Sequence, residues 1–235
     1  MSGHVADFVA HTNYSDLPSA AVEAGKKSIL DCLGVALSEV AADAGRLLRD
    51  YLVRPGQDEA ECTVFGGGRA SAAMAALVNG TCMHADDFDD TLRSVPAEGY
   101  HGSLHPTAPI LAALLAVAER DRRSGRDLIV SYHVGVEVAA KINDAIGSRH
   151  FMAGFHPTGT CSLLGLAAAV ARLNGLDTGG IRHALDIAAS QASGPRENFG
   201  SMVKPVHTGN AAFGGLMAAD LAALGFTASA DNGLI

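Results

Sequence analysis

The chain has 235 residues, 48% hydrophobic but only 5% aromatic, with no tryptophan and 27 glycines. That bounds it to one large domain or two small ones, with a sizeable core built mainly from Ala, Leu, Val and Ile at close approach. A net charge of −8 excludes a general nucleic-acid surface, which needs a basic face.

The first residues, "MSGHVADFVAHTNYSDLP", lack a basic start followed by an apolar stretch, so no signal peptide is read there. The cysteines Cys32, Cys62, Cys82 and Cys161 are scattered without a C-x-x-C pair. This spacing fits reduced thiols in a cytoplasmic protein better than a disulfide framework or a zinc site. From there the apolar period is helical almost throughout. Residues 16–40 carry Val22, Ile29, Leu33, Leu37 and Val40 at three-, four- and seven-residue steps, with Pro18 near the start; a shorter helix follows over 41–53. Residues 61–71 differ: a short apolar stretch, three glycines, then Ser71 as an N-cap. From that cap one Ala-rich helix is predicted over 71–88, running into an aspartate cluster.

A loop over 92–106 leads to a helix that starts near Pro106 and stops at the Ser124-Gly125 breaker pair. Helical segments are then predicted over 127–147, 157–175, 177–194 and 204–225. The longest uncharged run, residues 154–171, carries His, Pro, Thr and Ser at one end, so it reads as a buried helix rather than a membrane span. No alternating run is long enough for a sheet. The expectation is a single all-α domain over 1–235, with Ala and Gly faces allowing close helix packing.

Four polar motifs interrupt this pattern at helix ends and loops, where a rigid scaffold commonly carries its working groups. The first is "HADDFDDT" (84–91), with Asp86, Asp87, Asp89 and Asp90 inside five positions. If the preceding helix continues, Asp87, Asp90 and Thr91 share a face while Asp86 and Asp89 point elsewhere. Carboxylates at a helix C-terminus oppose the macrodipole. The bland reading is a solvated cluster; the functional one has one or two carboxylates orienting a histidine or binding a polar substrate. "DDFDD" also resembles the D-D-x-x-D motif by which all-helical isoprenoid synthases bind magnesium and diphosphate. No second acidic motif accompanies it, and the aromatic content is low for a cavity that guides a carbocation. The second motif is the loop bearing His101 and His105.

The third, "GFHPTGT", puts His156 before Pro157 at the mouth of a helix whose first amides, with Thr158 and Thr160, suit an anion such as a carboxylate. The fourth, "GSMVKPVHTGN", sets Lys204 before Pro205, with His207 three residues on. The chain has only four lysines, so one in an apolar, glycine-flanked turn is more than a solvated charge. A packing role for His207 is equally consistent.

In this order, "YSDLP", "LDCLGVAL", "VFGGGRASAAMAALVNG", "HADDFDDT", "HPTAPILAALLA", "GFHPTGT" and "GSMVKPVHTGNAAFGG" resemble the N-terminal domain of the MmgE/PrpD family over roughly residues 5–231. That family includes 2-methylcitrate dehydratase, cis-aconitate decarboxylase and iminodisuccinate epimerase. The resemblance implies a large helical domain carrying most of the active site, a smaller α+β lid domain after it, and a homodimer. It further implies action on di- and tricarboxylates without metal or organic cofactor. By motif it places the active-site aspartate at Asp87, the threonine at Thr91, the histidines at His105 and His156, and the lysine at Lys204. The loop between Thr91 and His105 is longer than the family's usual connection, so His101 competes with His105.

The resulting expectation is a cofactor-independent lyase that moves a proton next to a carboxylate of a small polycarboxylate. Dehydration ranks first, then isomerisation or epimerisation, then decarboxylation. His156 and His105 are the acid/base candidates. Lys204 would neutralise the substrate carboxylate and its enolate-like transition state, while Asp87 and Thr91 would orient a histidine or bind a hydroxyl. Thr158, His101, Arg93 and Arg196 complete the expected binding set, with no metal and no membrane or nucleic-acid partner. Because the sequence ends about where the family's lid should begin, a lid supplied as a separate polypeptide is one expectation. A non-catalytic binding or dimerisation module is the alternative from another class.

Overall fold

The computed structural model describes residues 2–52, 61–94 and 102–229. Ten α-helices account for most of these: α1 (Ser2–His11), α2 (Ser19–Ser38), α3 (Asp43–Leu52), α4 (Ala72–Cys82), α5 (Thr107–Arg120), α6 (Gly125–Ile146), α7 (Ser148–Met152), α8 (Pro157–Asn174), α9 (Thr178–Ala189) and α10 (Val203–Ala223). Two antiparallel pairs of very short strands interrupt them. β1 (Cys62–Thr63) pairs with β2 (Arg69–Ala70), and β3 (Leu92–Ser94) pairs with β4 (Gly102–Leu104). The all-α expectation holds, and these hairpins are among the elements the sequence pattern left out. They are too short for alternation to register as a period.

The core is organised on α8. Every residue of this helix except Arg172 and Asn174 is buried. It runs between α6, α10, α5 and α9. A helix apolar on all sides belongs at the centre of a bundle, which accounts for the long uncharged run without a membrane. Among the described residues no helix is long and apolar enough to cross one. Small residues set the spacing. Gly165 of α8 lies so close to α6 that an added Cβ would come within 2.7 Å of Ala139 Cβ and clash with the Gly135 carbonyl. Likewise, a Cβ on Gly80 of α4 would meet the Gly209 Cα of α10 at 3.2 Å. With so few aromatics, dense packing comes from this backbone approach instead of large side chains.

Polar ties fix the ends of the bundle. Ser124 caps α6, accepting from the Asp127 amide at 3.2 Å, and Asp177 caps α9, accepting from the Gly180 amide at 2.8 Å. Arg120 at the end of α5 bridges to Asp220 of α10 at 2.7 Å. Buried Asn79 of α4 both accepts from the Phe65 amide and donates to the Thr63 carbonyl, each at 2.9 Å, pinning the β1 segment to the bundle. The helix α1 went unread in the sequence because its inward face is only a turn and a half long. Ala6 and Val9 are its buried residues, and Arg172 of α8 donates to the Thr12 carbonyl just beyond it. All four cysteines are free and buried.

One boundary differs where it matters. The helix expected over 71–88 begins after Ser71 but ends at Cys82. Residues beyond it turn, and Asp87 adopts φ 60°, a left-handed conformation in which Asp is tolerated better than most residues. Continuing the helix would have stacked aspartates on its negative end. It would also have kept His84 and Asp89 apart, and these two are hydrogen-bonded in the fold.

Candidate active site

Four helix ends converge on one place. The turn after α4 carries His84 through Asp90, and β4 delivers His105 just before α5. The N-terminus of α8 presents His156, and that of α10 presents Lys204 and His207. His156 is the N-cap of α8, followed by Pro157 at the first helical position, as the sequence predicts. Lys204 is in the first turn of α10, not in a preceding turn.

The four aspartates do not share a task. Asp86 faces Glu39, and its negative charge together with burial raises the Glu39 carboxyl to about 7, burial being the larger cause. Asp90 is largely buried and accepts a 2.7 Å hydrogen bond from Thr107 Oγ1, which in turn meets Tyr132 Oη at 2.7 Å. Asp87 is half exposed and its Oδ1 touches Lys204 Nζ; the same oxygen is 3.5 Å from His105 Nε2 and 3.7 Å from His84 Nε2. Asp89 is buried and its Oδ1 accepts from His84 Nδ1 at 2.8 Å. His105 Nδ1 is 3.3 Å from that oxygen, at an angle that leaves it without a hydrogen bond among the described residues. The expectation that Asp89 is a bystander pointing away from the site is therefore corrected: it lies at the bottom of the site.

The histidines form a chain. Rings of His84 and His105 meet edge to face at 4.7 Å, and His84 stacks near His156 at 5.8 Å. His156 Nδ1 is 3.3 Å from His207 Nδ1, while Phe199 sets its edge to the His156 ring at 4.9 Å and lies 5.1 Å from Lys204 Nζ. This arrangement separates their charge states. Burial alone would lower the His105 pKa, but the contacts and charges of Asp89 and Asp87 outweigh it and raise the value above the usual imidazole range. His156 goes the other way, to about 2, because it is buried and faces His84, His207, Lys204 and His105, with no carboxylate in contact among the described residues. Burial also lowers His207. Asp89 is held down at about 2: burial pushes it up, and the contacts from His105 and His84 more than reverse that.

The remaining sequence candidates divide. Thr158 is fully buried, and its hydroxyl accepts the His105 amide at 3.0 Å, so it positions the backbone of the site rather than opening onto it. Thr160 is likewise engaged, with His150 Nε2 at 2.7 Å. Thr91 is exposed, because the helical register that put it beside Asp87 does not form. Arg93 is an exposed residue of β3, and Arg196 packs over the Phe151 ring at 4.4 Å. His101 lies outside the described residues. His84 and Asp89 are what sequence reasoning missed. They are five residues apart, a spacing that is neighbourly on neither a helix nor a strand, so only the turn brings them together.

A cavity of about 410 Å³ opens beside the site, lined among others by Asp86, Asp87, Ser201, Met202, Lys204 and Pro205. Asp87 and Lys204 thus stand between this open space and the buried imidazoles. Donor atoms of His84, Asp87, Asp89 and His105 lie within 4.8 Å of one another, a spacing that suits a cation. Of these four, Asp87 is also in contact with the Lys204 ammonium. The D-D-x-x-D reading fares worse: Asp86 and Asp90, its outer members, face Glu39 and Thr107 on different elements.

The chain is similar in sequence to several known proteins. Cis-aconitate decarboxylase of Homo sapiens is 34% identical over 216 residues, covering 89% of this chain and 43% of its own length. The enzyme of the same name from Aspergillus terreus is 30% identical over 238 residues, covering 97% of this chain and 46% of its own. A cis-aconitate decarboxylase-like protein, oryM of Aspergillus oryzae, is 28% identical over 242 residues, with 96% and 47% covered. The chain thus spans somewhat less than half the length of these relatives. The family profile described as MmgE/PrpD N-terminal domain matches residues 3–232, and with that match spanning nearly the whole chain, the protein belongs to the MmgE/PrpD family.

Proposed function

We propose that this chain carries the catalytic groups of a cofactor-independent lyase that acts on a small di- or tricarboxylate by moving a proton next to a carboxylate. The observation that carries the reading is the meeting of one lysine with imidazoles of opposite tendency at converging helix ends. His105 favours its charged form and His156 its neutral form. Pairs whose environments drive their protonation apart are the usual mark of acid/base division of labour. Lys204 would hold the substrate carboxylate and offset charge that builds on it in an enolate-like transition state. His105 would donate a proton, to a departing hydroxyl in dehydration or to carbon after loss of carbon dioxide. Asp87, already on Lys204, would give way to the substrate anion.

Decarboxylation of a tricarboxylate is the first reaction to test, because the relatives carry that name. Dehydration, first on sequence grounds, needs the same groups and is the runner-up, with isomerisation next. Exposed Phe88, Met202 and Val203 near the open cavity favour a cover during turnover, from the same or another polypeptide, since water exclusion strengthens these charges. A homodimer remains part of the proposal. The test is incubation of the chain with cis-aconitate and with 2-hydroxytricarboxylates in deuterated water containing a chelator, followed by proton NMR. Turnover, or exchange of a C–H next to a carboxylate, supports the reading. Absence of both, with every acid tried, rejects it.

A further inference from the structure

We propose that His84 is the proton acceptor of this site and that Asp89 is its positioning residue. The inference deepens the lyase reading and rests on it for the chemistry, but its structural half stands by itself. A base that gains a proton inside a protein becomes a buried cation, and a buried cation needs a counter-charge already in place. Of the imidazoles gathered here, His84 is the one hydrogen-bonded to a carboxylate, through Nδ1 to Asp89 Oδ1 at 2.8 Å, with both side chains fully buried. An ionised carboxylate only accepts hydrogen bonds. Nδ1 of His84 therefore carries a proton in that bond, and the role proposed here requires Nε2 to present its lone pair. That Nε2 is buried and has no hydrogen-bond partner among the described residues. A buried polar nitrogen is costly to leave unpaired, so this atom is a candidate for contact with a bound acid.

Direction supplies the use. Nε2 of His84 points toward Asp87 Oδ1, 3.7 Å away, the oxygen that also meets Lys204 Nζ and lies 3.5 Å from His105 Nε2. Three nitrogens thus surround one carboxylate oxygen. Asp87 is half exposed and borders the cavity, so its short side chain can swing outward and leave a carboxylate-sized seat. An acid anchored there through Lys204 brings its neighbouring carbon against His84. In dehydration or isomerisation the C–H bond breaks, the N–H bond forms at Nε2, and the electron pair stays on the substrate, spread into the carboxylate that faces Lys204. Asp89 balances the imidazolium, and the proton returns from Nε2 to product or solvent to reset the site. His156 is less suited to this role: its nearest ring nitrogen belongs to His207 at 3.3 Å, and no carboxylate contacts it among the described residues.

The experiment is long-range proton–nitrogen NMR on the whole chain labelled with nitrogen-15 in histidine, with and without saturating citrate. The expected result is His84 protonated on Nδ1 with a bare Nε2 at neutral pH, and a shift of that Nε2 signal on adding citrate. A proton resident on Nε2, or a signal indifferent to citrate while His105 or His156 responds, overturns the proposal. In kinetics of dehydration or isomerisation, or of C–H exchange into deuterated water, His84→Gln should lower the rate by a factor of about 100 or more, the usual worth of a general base, with KM changed little; Asp89→Asn should lower it in the same direction. A rate for His84→Gln within about threefold of the parent is the opposing result. Should a variant fail to fold, the tautomer in the native chain decides. If no acid is turned over by the parent, the lyase reading fails, and the citrate-dependent Nε2 signal still judges His84.

Discussion

Replacing Asp89 with asparagine removes one negative charge while keeping nearly the same shape, so its effect isolates what the buried charge does. Its carboxyl is held at about 2 against an ordinary 3.8, a difference worth about 2 kcal/mol at neutral pH. For a chain of this size the melting temperature of Asp89→Asn should fall by roughly 4–8 °C at pH 7. The sign follows from the depressed value. The contribution is fully present above the unfolded carboxyl range, and it is lost as pH falls through that range toward about 2. At about pH 3 only about half of it remains. Thermal or urea denaturation of parent and variant at both pH values is the assay. A gap below about 0.5 kcal/mol at pH 7, or one that does not shrink on acidification, would refute the idea that paired imidazoles stabilise an ionised Asp89.

Other consequences are as direct. Gly165→Ala places a methyl group 2.7 Å from Ala139 Cβ and against the α6 backbone; it should cost about 1–3 kcal/mol, and an unchanged urea midpoint would contradict the close crossing of α6 and α8. Lys204→Gln should weaken binding of a polycarboxylate by roughly 10- to 100-fold, the worth of one hydrogen bond to a charged group, measured by calorimetric titration with citrate; unchanged affinity would remove Lys204 from the seat. Because the pKa of His105 is raised, turnover that needs its charged form should persist at neutral pH and decline only on the alkaline side of the ordinary histidine value. A decline centred below that value in the pH–rate profile would count against His105 as the acid.

Much of the fold was legible in the residues because it rests on local periodicity. The α8 run from Pro157, the Ser71 cap before α4 and the stop near Ser124 are signalled by neighbours in the chain. The same holds for His156 and Lys204, each marked by a following proline at a helix start. The sequence by itself therefore determined the helical class, the glycine-rich style of packing and the helix starts that carry Lys204 and His156. What it could not determine was the path after Cys82. Thr91 looked adjacent to Asp87 only on the assumption of a continuing helix. Tertiary structure replaces that helix with a turn, because the apolar run gives out where the charges begin and His84 gains a buried partner by turning inward. Four aspartates of identical chemistry are then sorted by what the other helices bring to each: Glu39 to Asp86, Lys204 to Asp87, His84 and His105 to Asp89, Thr107 to Asp90. A side chain's charge is written in the sequence; the counter-charge that decides its role is supplied by residues distant in the chain, and only the fold brings them within a few ångströms.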